Sequence, residues 1–228
     1  MEAIVLAGGF GTRLSSMVSD VPKPMAPIGT RPFLEIILRQ LSVNGFQRVV
    51  LSVGYLSEVI VRYFGSAYEG MELVYEVEDE PLGTGGAVLA GMKHCRSDHV
   101  FVFNGDTYLV LDIADVEAKW QCYREPLIVA LTVEDTARYG RLLVDDGLVK
   151  GFMEKGVSGP GLINAGCYVL PVGLLDNSGL RLPFSLEVDY LEQAVRQRPF
   201  HVFATEGMFI DIGIPDDYLL AQNILVNR

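Results

Sequence analysis

Apolar segments typical of strands alternate with segments of helical periodicity along the first half of this chain. Residues 3–7 form an uninterrupted apolar run that Gly8 and Gly9 end, as expected for a strand buried on both faces. From Phe33 to Leu41, apolar residues recur at helical spacing. Neighbouring parallel strands need crossover connections, usually helices. We therefore predict a Rossmann-like α/β fold of three layers, α/β/α, whose middle layer is a mixed, mainly parallel sheet.

The same patterns predict the remaining elements and a single domain. We expect further strands at residues 49–53, 73–77, 100–103, 127–133, 163–170 and 202–205, and helices at residues 59–64, 85–95, 113–120, 186–196 and 216–225. Residues 142–144 and 148–152 flank the sequence Asp-Asp-Gly, which is typical of a hairpin turn. With 228 residues, half of them hydrophobic, the chain can bury the core of one domain over residues 1–228.

Charge and composition exclude several classes of protein. A formal charge of −11 argues against a surface for nucleic acid or for an anionic membrane, since either partner needs a clustered basic face. No run reaches the roughly 20 apolar residues that span a bilayer, and the first residues run into a strand instead of a cleavable signal. We therefore expect a cytoplasmic protein. Cys95, Cys122 and Cys167 are scattered, so we expect three reduced, mostly buried thiols.

The histidines and the aromatic residues provide little information on function. His94, His99 and His201 lie at the ends of predicted elements without the spacing of metal ligands, so we expect surface or capping roles. Neither a Gly-x-Ser-x-Gly elbow nor a Cys–His pattern indicates a covalent intermediate, and direct transfer is the simpler mechanism. We expect Tyr68, Trp120 and Tyr123 to be exposed; a homo-oligomer contact at these residues is possible, but single surface aromatics are ordinary and do not decide the oligomeric state.

A glycine-rich segment follows the first predicted strand. The sequence LAGGFGTRL, residues 6–14, lets backbone amides approach a phosphate chain, although the glycines alone are equally consistent with a tight turn. A dinucleotide fingerprint beginning at Gly9 has Leu14 in place of its third glycine, and the Gly-Lys-Ser/Thr ending of a P-loop is missing. These departures disfavour a nicotinamide oxidoreductase and a P-loop kinase. Arg13 and Lys23 remain as cations for a triphosphate.

Two aspartates could hold a metal ion. Asp106 comes just after a buried strand, at the edge where open α/β sheets bind ligands, and Asp211 belongs to an apolar strand late in the chain. Two such carboxylates could converge on one Mg²⁺, which also takes oxygen ligands from water and phosphates. Taken alone, either residue is better explained as a turn or capping aspartate.

Several motifs together resemble the sugar nucleotidyltransferase family. LAGGFGTRL and PKPM (22–25) are followed, in the family's order, by EPLGTGGA (80–87), NGDT (104–107), EK (154–155), NAG (164–166) and FIDIGIPDDY (209–218). The resemblance implies the nucleotidyltransferase fold and an enzyme that joins a nucleoside triphosphate (NTP) to a sugar 1-phosphate and releases pyrophosphate. It also implies Mg²⁺ as cofactor, held by Asp106 and Asp211.

The resemblance assigns further residues. It implies catalytic roles for Arg13, Lys23, Asp106, Lys155 and Asp211. The nucleotide is expected to contact Leu6, Ala7, Gly8, Gly9, Gly11, Thr12, Arg13, Lys23, Glu80, Pro81, Leu82, Gly83, Thr84 and Asp106. The sugar phosphate is expected to contact Gly140, Glu154, Lys155, Asn164, Gly166 and Glu187. The nucleotide-binding part would then be residues 1 to about 110, and the sugar-binding part the remainder.

Within the family, the chain is similar to the short bacterial branch that acts on a heptose. SDVPKPMAPI (19–28) and RYG (138–140) support this resemblance, which implies GTP and D-glycero-α-D-manno-heptose 1-phosphate as substrates and GDP-heptose as product. Residues 15–19 depart from the Arg-x-Pro-Leu-Thr of many relatives, which leaves the details of the loop near the triphosphate open.

Two alternatives remain beside that interpretation. The first is a UTP- or dTTP-dependent enzyme acting on a hexose 1-phosphate, since the family uses nearly the same motifs for many substrates. The second is a nucleotide-sensing regulatory subunit without catalytic activity. Such a subunit is expected to lack one or more of the five catalytic residues, and all five are present.

Overall fold

The computed structural model describes residues 1–9 and 21–226. Its strands are β1 Glu2–Leu6, β2 Pro27–Ile28, β3 Arg31–Pro32, β4 Arg48–Val53, β5 Ala67–Tyr68, β6 Met71–Val77, β7 His99–Asn104, β8 Thr107–Leu109, β9 Leu127–Val133, β10 Leu142–Asp145, β11 Leu148–Phe152, β12 Gly161–Pro171, β13 His201–Thr205 and β14 Phe209–Asp211. The α-helices are α1 Phe33–Val43, α2 Ser57–Phe64, α3 Gly83–Met92, α4 Ile113–Tyr123, α5 Glu192–Ala194 and α6 Pro215–Ile224. A short 3₁₀-helix covers Lys23–Met25, and a π-helix covers Leu186–Leu191 directly before α5.

Ten strands form the central sheet, in the order β10-β11-β13-β9-β12-β7-β1-β4-β6-β5. β1, β4, β6, β7, β9, β10 and β13 run in one direction, and β5, β11 and β12 run in the opposite one. The prediction of a mixed, mainly parallel sheet is therefore confirmed. β1 lies between β7 and β4, so the chain leaves β1 toward one side and later returns to the other.

Helices cover both faces of the sheet and complete three layers. Along β1, Ala3 and Val5 belong to one core and Ile4 to the other, as the alternation of side chains in a strand requires. The first core includes apolar residues of α1, α2, α4 and α6. The second core includes residues of α3, of the π-helix and of α5. Because β1 is buried on both faces, its uninterrupted apolar run could be recognised from the sequence alone.

Two smaller sheets lie outside the central one. β2 pairs with β3, and β8 pairs with β14, each in antiparallel orientation. In the second pair Asp211 lies opposite Thr107, one residue after Asp106. This pairing brings a late segment of the chain to the end of β7.

Some local predictions were wrong. The helix predicted at residues 186–196 begins as a π-helix, Leu186–Leu191, and its α-helical part is short. Side-chain spacing alone does not distinguish these two kinds of helix. The predicted helix at 85–95 ends earlier, at Met92.

Burial also differs from expectation at several residues. Trp120 is 2% exposed and stacks on His99, with ring centroids 4.8 Å apart, so neither residue lies on the surface. Only Cys167 is fully buried among the three free thiols, whereas Cys122 is exposed. Trp120 therefore offers no contact for a second copy of the chain. Within the described residues, no helix combines the length and the apolar character that crossing a bilayer requires.

Candidate active site

A cavity of about 290 Å³ opens where β1 and β7 end. Its walls include nine of the predicted nucleotide-binding residues, namely Leu6, Ala7, Gly8, Gly9, Lys23, Pro81, Gly83, Thr84 and Asp106. Pro24, Glu78, Ala87 and Asn104 complete the walls. The cavity lies at the carboxyl ends of strands whose following segments diverge to opposite sides, which is where open α/β sheets bind ligands.

Two glycines let other groups approach the backbone closely at the wall of the cavity. The amide of Gly105 donates to the carbonyl of Leu6 at 2.9 Å, and a Cβ at Gly105 would lie 2.6 Å from that oxygen. A Cβ at Gly8 would lie 2.7 Å from Oε1 of Glu78. Any larger residue at either position would force the backbone or the carboxylate to move. These glycines therefore bring the ends of β1, β6 and β7 together.

Lys23 and Asp106 form an ion pair in this cavity. Lys23 begins the 3₁₀-helix and lies between Pro22 and Pro24, whose fixed φ angles restrict the backbone on either side of it. Nζ of Lys23 lies 2.5 Å from Oδ2 of Asp106, and the two side chains are 11% and 34% exposed. The predicted triphosphate cation and the predicted metal ligand are therefore in direct contact.

Asp211 is brought close to Asp106 by the pairing of β8 with β14. The amide of Ile212 donates to the backbone carbonyl of Asp106 at 3.0 Å, and Oδ1 of Asp211 accepts from the amide of Gly213 at 2.7 Å. Burial raises the pKa of Asp211, and the charge of Asp106 raises it further, while the Gly213 amide and Lys23 act in the opposite direction. A raised pKa indicates that the folded protein opposes the negative charge at this position.

The two aspartates fit the donor set that Mg²⁺ prefers. Both present carboxylate oxygens, and the pairing of β8 with β14 places the two residues close together. Within residues 1–9 and 21–226 there is no group of three or more His, Cys, Asp or Glu side chains arranged to hold a metal ion. A cation held here would take its other ligands from water and phosphate oxygens, as Mg²⁺ commonly does.

A chain of hydrogen bonds connects the first turn of α3 with the predicted sugar residues. Glu187 Oε2 accepts from Oγ1 of Thr84 at 3.0 Å, and its Oε1 accepts from the hydroxyl of Tyr168 at 2.9 Å. Asn164 Nδ2 donates to that hydroxyl at 2.7 Å, and Oδ1 of Asn164 accepts from the amide of Gly166 at 3.1 Å. The structure therefore brings together four predicted site residues, Thr84, Asn164, Gly166 and Glu187, through the fully buried Tyr168.

Gly166 connects this network to the cavity. Its φ is +67°, and a Cβ at this position would lie 2.4 Å from Nδ2 of Asn104, which lines the cavity. Both the positive φ and the close approach require glycine.

Two of the three remaining predicted sugar residues lie on a loop between β11 and β12. Glu154 and Lys155 are exposed on this loop, and the structure does not bring either side chain against the residues that line the cavity. A Cβ at Gly140 would lie 3.0 Å from the carbonyl of Met153, so Gly140 packs against the same loop. Gly11, Thr12 and Arg13 lie outside the described residues.

Four residues of the cavity wall were not predicted as site residues from the sequence, and Glu78 is the charged one among them. Glu78 accepts from Oγ of Ser52 at 2.8 Å and from the amide of Leu82 at 3.0 Å, and it lines the cavity. The predicted Glu80 is instead exposed and does not line the cavity, and neither does Leu82. Glu78 follows directly after β6, one of the predicted strands, so a search for polar residues at strand ends, as for Asp106, could have found it.

Comparison with known proteins identifies the family of this chain. Residues 2–228 match the family described as Nucleotidyl transferase. The chain belongs to this nucleotidyltransferase family.

Two relatives of similar length are named for one activity, and a longer relative is named for another. The chain is 42% identical to a D-glycero-alpha-D-manno-heptose 1-phosphate guanylyltransferase of Aneurinibacillus thermoaerophilus, over 99% of this chain and 98% of that protein. It is 40% identical to the protein of the same name from Campylobacter jejuni, over the full length of both. Mannose-1-phosphate guanyltransferase of Schizosaccharomyces pombe is 33% identical, but the match spans only 62% of that protein.

Solved structures show the same fold. HddC from Yersinia pseudotuberculosis superposes with a TM-score of 0.88 and 36% identity, over 98% of this chain and 99% of that one. A second crystal structure of HddC, complexed with GMP-PN, gives the same values.

Proposed function

We propose that this chain transfers GMP from GTP to D-glycero-α-D-manno-heptose 1-phosphate, giving GDP-heptose and pyrophosphate. The observation that carries this proposal is the contact of Lys23 with Asp106, beside Asp211, in a cavity that Gly8 and Gly9 help to line after β1. The choice of guanine and heptose is supported by the names of the two full-length relatives at 42% and 40% identity.

The reaction requires positioning and charge neutralisation more than acid–base chemistry. A phosphate oxygen of the sugar 1-phosphate attacks the α-phosphorus of GTP in line, the bond from that phosphorus to the bridging oxygen breaks, and pyrophosphate leaves. Lys23 and Arg13 neutralise and hold the leaving pyrophosphate, and Lys155 orients the attacking phosphate. The chemistry that Mg²⁺ supplies, when Asp106 and Asp211 hold it, is neutralisation of phosphate charge.

Glu78 has the chemistry to select guanine. Guanine presents an N1–H and an amino group side by side, and the two oxygens of a carboxylate can accept from both. Each Glu78 oxygen already accepts one hydrogen bond, from Ser52 or Leu82, which fixes the carboxylate while leaving lone pairs for a ligand. Adenine and uracil lack this pair of donors, so we propose Glu78 as the residue that reads the base.

The division of the chain and its location are part of the proposal. Residues 1 to about 110 would bind the nucleotide, and the remainder would bind the sugar phosphate. The hydrogen bond from Thr84 to Glu187 joins the two parts. A cytoplasmic location is supported by the three unpaired cysteines, because reducing compartments keep thiols free.

A second sugar is favoured by one observation. Mannose-1-phosphate guanyltransferase of Schizosaccharomyces pombe shares 33% identity with 96% of this chain. Mannose 1-phosphate with GTP is therefore the alternative substrate pair.

Pyrophosphate release in the presence of Mg²⁺ tests the proposal. GTP, UTP, dTTP, CTP and ATP would each be paired with heptose, mannose and glucose 1-phosphates. Release with GTP and the heptose supports the proposal, and release only with GTP and mannose 1-phosphate selects the alternative. Release only with UTP or dTTP and a hexose overturns the substrate, and no release with any pair overturns the enzymatic function.

A further inference from the structure

The loop of residues 153–160 carries Glu154 and Lys155 but does not anchor their side chains. Both side chains are exposed, and within the described residues neither makes a hydrogen bond or an ion pair. A long, unanchored lysine can hold a phosphate in a defined place only if its backbone is fixed, because ordering a free loop costs conformational entropy. The contacts of the loop backbone therefore decide where Lys155 can act.

Thr136 makes the central contact with this loop. It is completely buried, and its Oγ1 donates to the carbonyl of Val157 at 2.7 Å. The same oxygen accepts from Nε and Nη2 of Arg141 at 3.2 and 3.1 Å. Both the donor and the acceptor capacity of the hydroxyl are used, so its position is defined from two sides.

Arg141 extends the contact along the loop. Its Nη2 donates to the carbonyl of Gly159 at 3.1 Å and lies 3.4 Å from the carbonyl of Ser158. A Cβ at Gly161 would lie 2.9 Å from Nε of Arg141, so the glycine leaves the space that the guanidinium occupies. Hydrogen bonds from a charged group are stronger than neutral ones, so Arg141 holds these carbonyls firmly in place.

Asp135 completes the contacts on the opposite side. Its Oδ1 accepts from the amides of Ala137 and Gly159 at 3.0 and 3.1 Å. The loop backbone is also held before and after Lys155. The amide of Met153 donates to the backbone carbonyl of Arg141 at 2.8 Å, and the amide of Gly156 donates to the carbonyl of Ala137 at 2.9 Å. Residues on both sides of Lys155 are thus attached to the same short segment, 135–141.

This segment is also tied to the helix that follows Asp211. Arg138 forms an ion pair with Asp217 in the first turn of α6, the helix that follows the strand of Asp211. The segment therefore connects the loop of Lys155 with the region of Asp211.

We propose that Asp135, Thr136 and Arg141, called the clasp here, are positioning residues that hold the loop of Lys155 for the sugar 1-phosphate. The proposal rests on the proposed function, since it takes Lys155 to bind the phosphate of the sugar. The clasp itself touches no substrate and acts through the backbone of residues 153–160.

Thr136→Val tests the clasp because it removes the hydroxyl and keeps the shape of the side chain. We expect KM for the heptose 1-phosphate to rise about tenfold, while KM for GTP stays within about twofold. We also expect hydrogen exchange of the Gly156 and Gly159 amides to become about tenfold faster. Thr136→Ser, which restores the hydroxyl, should return KM for the heptose 1-phosphate and the exchange rates of both amides toward those of the wild type. Thr132→Val is the matched control, since Thr132 is exposed four residues earlier in the chain.

The proposal is overturned if Thr136→Val leaves the loop exchange unchanged, or changes both KM values alike. If Thr136→Val does not fold, Arg141→Met makes the same test, with Arg141→Lys as the conservative variant and Arg198→Met as the control. Calorimetric titration with the sugar 1-phosphate separates the clasp proposal from the proposed function. If the wild type binds this ligand but releases no pyrophosphate, weaker binding by Thr136→Val still supports the clasp. Equal binding by the two proteins overturns the clasp, and no binding by the wild type contradicts both proposals.

Discussion

The ammonium group of Lys23 lies 2.5 Å from Oδ2 of Asp106, although the two residues are 83 positions apart in the chain. The residue proposed to hold the pyrophosphate thus neutralises the carboxylate proposed to hold the metal. Lys23 also lowers the otherwise raised pKa of the nearby Asp211. A single cation therefore stabilises the negative charge of both aspartates.

Replacing Lys23 should impair nucleotide use. We expect Lys23→Met to lower kcat/KM for GTP by about 100-fold or more, because the leaving pyrophosphate loses a fixed cation. Steady-state kinetics measures the effect, and Lys93→Met at an exposed lysine serves as the control. Activity of Lys23→Met close to that of the wild type would exclude this role.

Either aspartate should matter more for turnover than for stability. We expect Asp106→Asn and Asp211→Asn each to lower kcat by about 100-fold or more, with changes in the free energy of unfolding below about 1 kcal/mol. The amide keeps the side-chain volume and removes part of the repulsion between the two carboxylates. Asp146→Asn in the exposed hairpin turn is the control, since asparagine tolerates its positive φ. A folded, fully active variant at either position would refute the metal assignment.

Glu78 and Glu80 form a matched pair for the nucleobase. We expect Glu78→Gln to lower kcat/KM for GTP by about 10- to 100-fold, because an amide cannot accept two donors side by side. The ratio of kcat/KM for GTP to that for ATP should fall as well. Glu80→Gln should leave both values unchanged, since Glu80 is exposed outside the cavity. The reverse pattern would show that the sequence-based choice of Glu80 was correct.

Glu2 should stabilise the fold in a pH-dependent way. Burial raises the pKa of Glu2, but hydrogen bonds from the Ser97 and Arg96 amides and the charge of Arg48 outweigh it, so the pKa is lowered overall. A lowered folded-state pKa contributes stability above the unfolded-state pKa, and this stability disappears as the pH falls through the folded-state value. We expect Glu2→Gln to lower the free energy of unfolding by about 1–2 kcal/mol at pH 7.

The pH profile of denaturant unfolding provides the check. The difference between wild type and Glu2→Gln should be constant near neutral pH and should shrink below about pH 4.5, where the unfolded-state carboxyl becomes protonated. Glu206→Gln at an exposed position should show no such change. A difference that grows toward acid pH would contradict the assignment.

The fold was predictable where one segment carried its own signal. The buried run of β1, the helical spacing of α1 and the Asp-Asp-Gly turn between β10 and β11 each depend on neighbouring residues, and all three were predicted. The stack of His99 on Trp120 joins β7 to α4, and nothing within either segment reveals it.

The site shows the same limit. Residue chemistry alone left Asp106 and Asp211 as turn or capping residues, because their convergence depends on the pairing of β8 with β14. The family resemblance supplied that pair and Glu187. It did not indicate Glu78, whose orientation is set by contacts with Ser52 and Leu82.

The ratio of kcat/KM values for two sugar phosphates with GTP and Mg²⁺ tests the central claim most directly. We predict that D-glycero-α-D-manno-heptose 1-phosphate is used at least about tenfold better than mannose 1-phosphate, with a product of the mass of GDP-heptose. Equal or better use of mannose 1-phosphate, or a preference for UTP or dTTP over GTP, would contradict it.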